Sequence, residues 1–157
     1  MSQRLQFTIN GRAAEVDVAP TDRLLDVLRG PLGLQGCREA CGEGECGACT
    51  VLIDGRAVNA CLVPALEVAG ATVTTIEGVL GPDGALSPLQ QAFIDAGAVQ
   101  CGFCTPGMVL SAQALLDANP APDDDDIRAA LVGNLCRCTG YVQIIEAVRA
   151  AARGRRP

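Results

Sequence analysis

The sequence predicts an α+β fold in which a strand-rich first half is followed by an all-helical second half. Two turn dipeptides, Asn10-Gly11 and Asp54-Gly55, each lie between apolar segments of alternating pattern, which is typical of β-hairpins. After residue 88, apolar residues recur at the spacing of helices. Hydrophobic residues make up 49% of the 157 residues, so the chain is expected to fold around a packed core.

The first half is predicted to hold five strands and one short helix. "LQFTIN" and "AEVDVA" form the first hairpin, "TVLIDGRAVNACL" forms the second, and the β-branched segment "ATVTTIEG" is the last strand. Between the hairpins, "DRLLDVLR" predicts a helix that is capped by Thr21 and ends at Gly30. Its apolar face consists of Leu24, Leu25 and Leu28. A cysteine-rich loop lies between this helix and the second hairpin.

A segment rich in glycine and proline, "EGVLGPDGALSP", separates the two halves at residues 77–88. Its five Gly or Pro residues interrupt both the helical and the strand pattern, as in a linker. We therefore expect a first domain at residues 1–78, a linker at 79–88 and a second domain at 89–157.

The second domain is predicted to be a bundle of four short helices. Ser87 and Thr105, each followed by a proline, are expected to cap "PLQQAFIDAG" and "PGMVLSAQALLDAN". Carboxylates open "DDDDIRAALVG", where the helix dipole favours negative charge, and "YVQIIEAVRAAARG" repeats apolar residues at helical spacing. No EF-hand spacing surrounds the consecutive Asp residues, so a solvated helix start is favoured over a calcium site.

Composition narrows the chemistry that the chain can support. A net charge of -6, 3% aromatic residues and scattered arginines leave no basic stripe or stacking surface, so nucleic-acid binding is not expected. "MSQRLQFTIN" lacks the pattern of a secretory signal and no apolar run is long enough for a membrane span, which predicts a cytoplasmic protein without membrane insertion. Because the chain has no His and no Lys, its nine cysteines are the candidate ligands, and in a reducing cytoplasm they indicate metal binding or catalysis rather than disulfides.

Four cysteines of the first half follow the spacing of plant-type [2Fe-2S] ferredoxins, CxxxxCxxC and a single Cys after eleven residues. These are Cys41, Cys46, Cys49 and Cys61. A loop that turns three thiolates toward one anionic cluster needs positive φ angles and close approach of the backbone. Three glycines of the loop allow both: Gly42, Gly44 and Gly47. A four-cysteine zinc site is the alternative, but zinc usually takes two CxxC-like units, and the first interval here is longer.

A second set of four cysteines gives CxxC, thirty-one residues, then CxC. These are Cys101, Cys104, Cys136 and Cys138. Each pair precedes a predicted helix, whose positive amino terminus stabilises thiolates. CxC alone is ambiguous, but the nine cysteines divide into four, four and one. The remaining Cys37 is interpreted as a small, partly buried thiol, with ligand exchange or a redox role as the alternative.

Three segments of the chain carry a resemblance: "GCREACGEGECGACTVLIDG…ACL", "QCGFCTPGMVLSAQALL" and "LCRCTGYVQIIEAV". Together they resemble the iron–sulfur subunit of the molybdenum hydroxylases. This is the xanthine dehydrogenase and aldehyde oxidoreductase family, which includes the small subunit of aerobic carbon monoxide dehydrogenase. The resemblance covers almost the whole chain. It implies an amino-terminal β-grasp domain like plant-type ferredoxins and a carboxy-terminal four-helix bundle, each with one [2Fe-2S] cluster. The chain departs from the common pattern at Cys37 and Arg38, where "GTK" is frequent.

The resemblance also implies ligands, cofactors and partners. The first cluster is expected on Cys41, Cys46, Cys49 and Cys61, and the second on Cys101, Cys104, Cys136 and Cys138. Gln100 and Cys138 are expected close to a molybdopterin, in its cytosine dinucleotide form, that is held by a large partner subunit. FAD is expected on a medium partner subunit.

The function implied by the resemblance is that of an electron-transfer subunit without a catalytic site of its own. Electrons from the molybdenum centre would pass one at a time through the two clusters to FAD. A freestanding carrier with two clusters is the alternative, and a zinc-stabilised interaction module is a minor one. The large subunit would choose the substrate.

Overall fold

The computed structural model describes residues 2–155, which form one mixed sheet followed by a helical bundle. The strands are β1 (Gln3–Ile9), β2 (Arg12–Val18), β3 (Thr50–Ile53), β4 (Arg56–Asn59) and β5 (Thr72–Thr74). Their order in the sheet is β2-β1-β5-β3-β4, in which β1 and β5 are parallel and the other neighbours are antiparallel. A short helix, α1 (Leu24–Arg29), packs its leucines into the core of the sheet. The predicted α+β class and the β-grasp domain are confirmed.

Both predicted hairpins form, and their turn residues explain why. Asn10 and Gly11 have φ angles of 49° and 77°, and Asp54 and Gly55 have φ angles of 48° and 80°. Two consecutive left-handed residues are what a type I′ turn requires, and such a turn matches the twist of paired strands. The core-facing residues of β1 alternate along the strand as predicted: they are Leu5, Phe7 and Ile9.

Two elements of the first half differ from the prediction. The helix begins later than expected, at Leu24, and Thr21 does not cap it. The Leu24 N–H instead donates to the Val63 carbonyl at 2.8 Å, so a tertiary contact takes the place of a side-chain cap. The last strand, β5, ends at Thr74, and the rest of the predicted strand forms a 3-10 turn.

All four predicted bundle helices are present. They are α2 (Pro88–Asp95), α3 (Thr105–Ala118), α4 (Asp124–Leu131) and α5 (Val142–Gly154). Ser87 caps α2 through a capping box, and Asp123 caps α4 in the same way. The predicted cap at Thr105 is wrong, because Thr105 is the first helical residue of α3 and Cys104 occupies the N-cap position.

Two clusters of buried apolar side chains make up the interior. The first combines residues of the sheet, α1 and the cysteine-rich loop, and the second lies among α2, α3, α4 and α5. The two meet where α3 packs against β3. No helix within residues 2–155 is both long and apolar enough to cross a membrane.

Candidate metal centres

The first cysteine loop, residues 37–49, connects α1 to β3 in an irregular path. Its glycines have the positive φ angles that were predicted: 69° at Gly42, 80° at Gly44 and 67° at Gly47. Cys41 and Cys46 are half-buried, whereas Cys49 is buried. The buried Cys61 follows β4 directly, in a 3-10 turn.

Backbone N–H groups of this loop point at sulfur. The Glu43 N–H donates to Cys41 Sγ at 3.4 Å. The pKa of Cys41 is lowered to about 7. This hydrogen bond is the largest cause, and an interaction with the Cys46 thiol is the second. Burial raises the pKa of the Cys49 thiol to about 12, so a thiolate there requires a nearby cation. A thiolate-binding metal centre supplies such a cation, and a set of four sulfur donors suits iron or zinc.

The second cysteine set lies at two helix boundaries of the bundle. Cys104 is the N-cap residue of α3 and follows Cys101, while Cys136 and Cys138 lie between α4 and α5. The Sγ atoms of Cys101 and Cys138 are 3.6 Å apart. These two residues are exposed, and the other two are half-buried. The fold thus brings together cysteines from two distant segments of the chain.

Hydrogen-bond donors surround the sulfur of Cys136 as well. Thr139 donates to it from the side-chain hydroxyl at 3.1 Å and from the backbone N–H at 3.5 Å. Although burial opposes the shift, these two donors and the Cys138 N–H lower the pKa of Cys136 to about 7. Burial raises the pKa of Cys104 to about 12. Each set therefore combines thiols that ionise readily with thiols that a bound cation would have to stabilise.

Within each set the thiols are close enough to affect one another's ionisation. Cys41 interacts with Cys46 and Cys49 with Cys61, and in the second set Cys101 interacts with Cys138 and Cys104 with Cys136. Among residues 2–155, no three His, Cys, Asp or Glu side chains surround a point that could hold a single metal ion. Four neighbouring thiols in each set fit a centre of two metal ions, each of which takes two thiolates.

Cys37, the ninth cysteine, belongs to neither set. Its side chain is 2% exposed, and burial raises its pKa to about 12, as it does for Cys49 and Cys104. Unlike those two, its thiol donates to a backbone carbonyl, that of Cys49, at 3.4 Å. This hydrogen bond supports the interpretation of Cys37 as a buried structural residue rather than a ligand.

Gln100 and Cys138, the two residues expected near a pterin, lie together at the surface. The Gln100 Nε2 donates to the Cys138 carbonyl at 3.3 Å, and both residues are exposed. Arg137 is exposed beside them. The second cysteine set thus lies at a surface that a partner can reach.

A buried polar cluster, which the sequence analysis missed, joins the two cysteine loops. The Asn134 side chain donates from Nδ2 to the Gly47 carbonyl and to the Thr50 hydroxyl, both at 3.1 Å. Its Oδ1 accepts from the Ser111 hydroxyl at 2.7 Å. Asn134 is 4% exposed, so these bonds form away from water. Its place two residues before Cys136 is visible in the sequence, but no local pattern indicates a contact with the first loop.

The backbones of the two loops also meet directly. The Leu135 N–H donates to the Cys46 carbonyl at 2.9 Å. A Cβ at Gly107, in the first turn of α3, would lie 2.1 Å from the Gly47 carbonyl oxygen, so only glycine fits there. The two cysteine sets are therefore held in a fixed relation by direct contacts between the loops.

Comparison with family models assigns both halves of the chain. Residues 7–72 match a 2Fe-2S iron-sulfur cluster binding domain, and residues 75–149 match a [2Fe-2S] binding domain. The first match contains the loop of Cys41 and the second contains the set that begins at Cys101.

Similar proteins align over nearly the full chain. The nicotinate dehydrogenase small FeS subunit of Eubacterium barkeri is 52% identical over 94% of this chain and 93% of its own. The nicotine 6-hydroxylase small subunit of Paenarthrobacter nicotinovorans is 50% identical over 92% of this chain and 86% of its own. A crystal structure of quinoline 2-oxidoreductase from Pseudomonas putida 86 contains a chain that superposes with a TM-score of 0.93 at 42% identity, covering 98% of this chain and 96% of that one.

Proposed function

This chain belongs to the iron–sulfur small subunits of the molybdenum hydroxylases, and we propose that the eight cysteines of its two sets hold the clusters through which it conducts electrons. It is the electron-transfer subunit of a molybdopterin-dependent oxidoreductase complex and has no substrate site of its own. It holds two [2Fe-2S] clusters, while molybdopterin and FAD are carried by partner subunits.

The proposed ligands of the first cluster are Cys41, Cys46, Cys49 and Cys61, and those of the second are Cys101, Cys104, Cys136 and Cys138. The gathering of four thiols at one place in each domain is the observation that carries this assignment, since a two-iron cluster takes four thiolates. The N–H donors at Cys41 and the two donors of Thr139 at Cys136 favour bound thiolate over thiol. A bound cluster accepts and releases one electron at a time, and the surrounding donors adjust its potential.

The difference in exposure between the two sets supports a position for the large partner subunit. Cys101 and Cys138 are exposed and lie beside the exposed Gln100, whereas two ligands of the first set are buried. We place this exposed surface in contact with the large molybdopterin-binding subunit, with Gln100 and Cys138 nearest the pterin. Electrons then enter at the bundle site, continue to the ferredoxin-like site and leave to FAD on a medium subunit.

The proposal extends to the domain limits, the pterin form and the compartment. The two apolar cores support domains at residues 1–78 and 89–157 with a linker at 79–88, although Met1, Arg156 and Pro157 lie outside the described residues. We propose the cytosine dinucleotide form of molybdopterin, which mass spectrometry of the released cofactor tests. A cytoplasmic location is supported by the nine unpaired cysteines, and cell fractionation tests it.

A pair of cysteine variants tests the ligand assignment. Cys138→Ser should remove or alter the EPR signal of one cluster and stop electron transfer to FAD, because the weaker hydroxyl ligand replaces a thiolate. Cys37→Ser, the matched control, should keep both signals, since this thiol is neutral and bonds only to a carbonyl. Two undisturbed signals in Cys138→Ser would contradict the assignment, as would loss of a signal in Cys37→Ser.

Copurification separates the complex from a freestanding carrier. The chain should emerge from gentle purification together with two larger subunits that contain molybdenum and FAD. Isolation as a single brown protein with two clusters would support the carrier instead.

A further inference from the structure

One charged side chain crosses from the first cysteine loop to the second. Arg38 lies in the loop of the ferredoxin-like domain, where its backbone N–H donates to the Ala48 carbonyl at 3.1 Å. Its Nη1 donates to the carbonyl of Gly102, and its guanidinium carbon lies 5.4 Å from the centroid of the Phe103 ring. Gly102 and Phe103 are the two residues between Cys101 and Cys104.

The charge of Arg38 is not neutralised by a carboxylate within residues 2–155, because the ion pairs found there do not include it. The neighbouring Glu39 is bound to Arg23 at 2.9 Å. The Glu77 carboxylate accepts from the Gly36 N–H at 2.7 Å and from the Thr75 hydroxyl, so it is also engaged elsewhere. A full positive charge therefore lies at the CxxC turn of the bundle, held by a hydrogen bond and by the aromatic face.

We infer that Arg38 sets the reduction potential of the cluster in the other domain, and this rests on the proposed ligand role of Cys101 and Cys104. A cluster bound by four thiolates is anionic, and one-electron reduction adds one more negative charge. A nearby fixed cation stabilises the reduced form more than the oxidised form, which raises the potential. Arg38 thus makes the bundle cluster a better electron acceptor, although it belongs to the ferredoxin-like domain.

Arg137 provides a contrast within the same site. It stands between Cys136 and Cys138 in the sequence, but it is exposed and has no hydrogen-bonding partner among the described side chains. Water and salt screen an exposed and mobile charge. Arg38 is half-buried, and its guanidinium is held by one hydrogen bond and by the face of the Phe103 ring, so its field is screened less. We therefore expect Arg38 to have the larger influence on the cluster.

An EPR-monitored redox titration of the full chain, loaded with its clusters, tests this role. Arg38→Gln should lower the midpoint potential of the bundle cluster and shift that of the ferredoxin-like cluster less. Arg38→Lys, which keeps the charge, should recover most of the potential. Arg4→Gln is the matched control: it removes the same net charge from β1, where Arg4 pairs with Glu15 and Asp17, and should leave both potentials unchanged.

Equal bundle potentials in Arg38→Gln and Arg4→Gln would overturn the inference, as would an Arg38→Lys potential as low as that of Arg38→Gln. If Arg38→Gln loses iron from the bundle, the Arg38→Lys variant tests the inference. Support requires that Arg38→Lys keep its iron and have a bundle potential near that of the unaltered chain. Loss of iron from Arg38→Lys as well would overturn the inference and leave Arg38 with a structural role only. Absence of two cluster signals from the unaltered chain would instead contradict the proposed function itself.

Discussion

Replacement of Asn134 by alanine should strongly destabilise this chain. The side chain makes three buried hydrogen bonds, to the Gly47 carbonyl, the Thr50 hydroxyl and the Ser111 hydroxyl. A buried side-chain hydrogen bond contributes roughly 1 kcal/mol net, so Asn134→Ala should cost about 3 kcal/mol of unfolding free energy. The Gly47 carbonyl keeps its bond from the Thr50 hydroxyl at 2.8 Å, which limits the additional penalty for unpaired groups.

Thermal unfolding of the cluster-loaded chain measures this loss. For a chain of this size, a change of about 3 kcal/mol corresponds to a melting temperature lower by about 6–12 °C. Asn119→Ala is the control, because Asn119 is also in the helical bundle but makes its bonds to Asp126 and to the Ala121 N–H at an exposed position. That change should cost about 1 kcal/mol or less.

A third variant separates hydrogen bonding from volume. Asn134→Asp keeps the size of the side chain and can still accept from Ser111, but it places a carboxylate against the Gly47 carbonyl. It should therefore be at least as unstable as Asn134→Ala at neutral pH. Equal melting temperatures for Asn134→Ala and Asn119→Ala would refute the reasoning, as would an Asn134→Asp chain as stable as the unaltered one.

Two further predictions follow from the packing and the surface charges. Gly107→Ala should lower the free energy of unfolding by about 1–3 kcal/mol, measured by chemical denaturation, because its Cβ would lie 2.1 Å from the Gly47 carbonyl oxygen. Gly133→Ala is the control and should cause no such loss, since no atom lies within 4 Å of its Cβ position. Arg149 bonds Asp124 at 2.6 and 2.9 Å and holds the pKa of that carboxyl below its usual value. Because folding lowers this pKa, the stabilisation is present above the ordinary carboxyl pKa and disappears as pH falls through the lowered one. The melting temperatures of Arg149→Gln and the unaltered chain should therefore differ at neutral pH and converge in acid.

The sequence was sufficient for the elements whose cause is local. Positive φ angles at Gly42 and Gly44 follow from what the loop requires, and the cap at Ser87 follows from the proline beside it. The hairpin turns follow in the same way from their Asn-Gly and Asp-Gly dipeptides. In each case the residues that determine the conformation are neighbours along the chain.

Features that depend on tertiary contacts could not be predicted from the sequence. Thr21 was predicted to cap α1, but the carbonyl of Val63 accepts the hydrogen bond from the first N–H of the helix instead. Asn134 and Arg38 reach across the two domains to partners that local patterns do not identify. The interface between the cysteine loops therefore emerges only when both halves are folded against each other.

The same limit applies to the cysteines. Spacing alone distinguished the first set as ferredoxin-like, whereas the CxC of Cys136 and Cys138 was ambiguous by itself and was assigned from the cysteine count and the resemblance. The structure places Cys138 beside Cys101. The contact between Cys101 and Cys138 is a property of the fold and is not visible in the sequence.

The most direct test of the central claim is the content of iron, acid-labile sulfide, zinc and molybdenum per copy of this chain, measured on gently purified material with its native partners attached. We predict about four irons and four sulfides per chain, the content of two [2Fe-2S] clusters, with molybdenum copurifying. Zinc in place of iron, or about two irons per chain, would contradict the account.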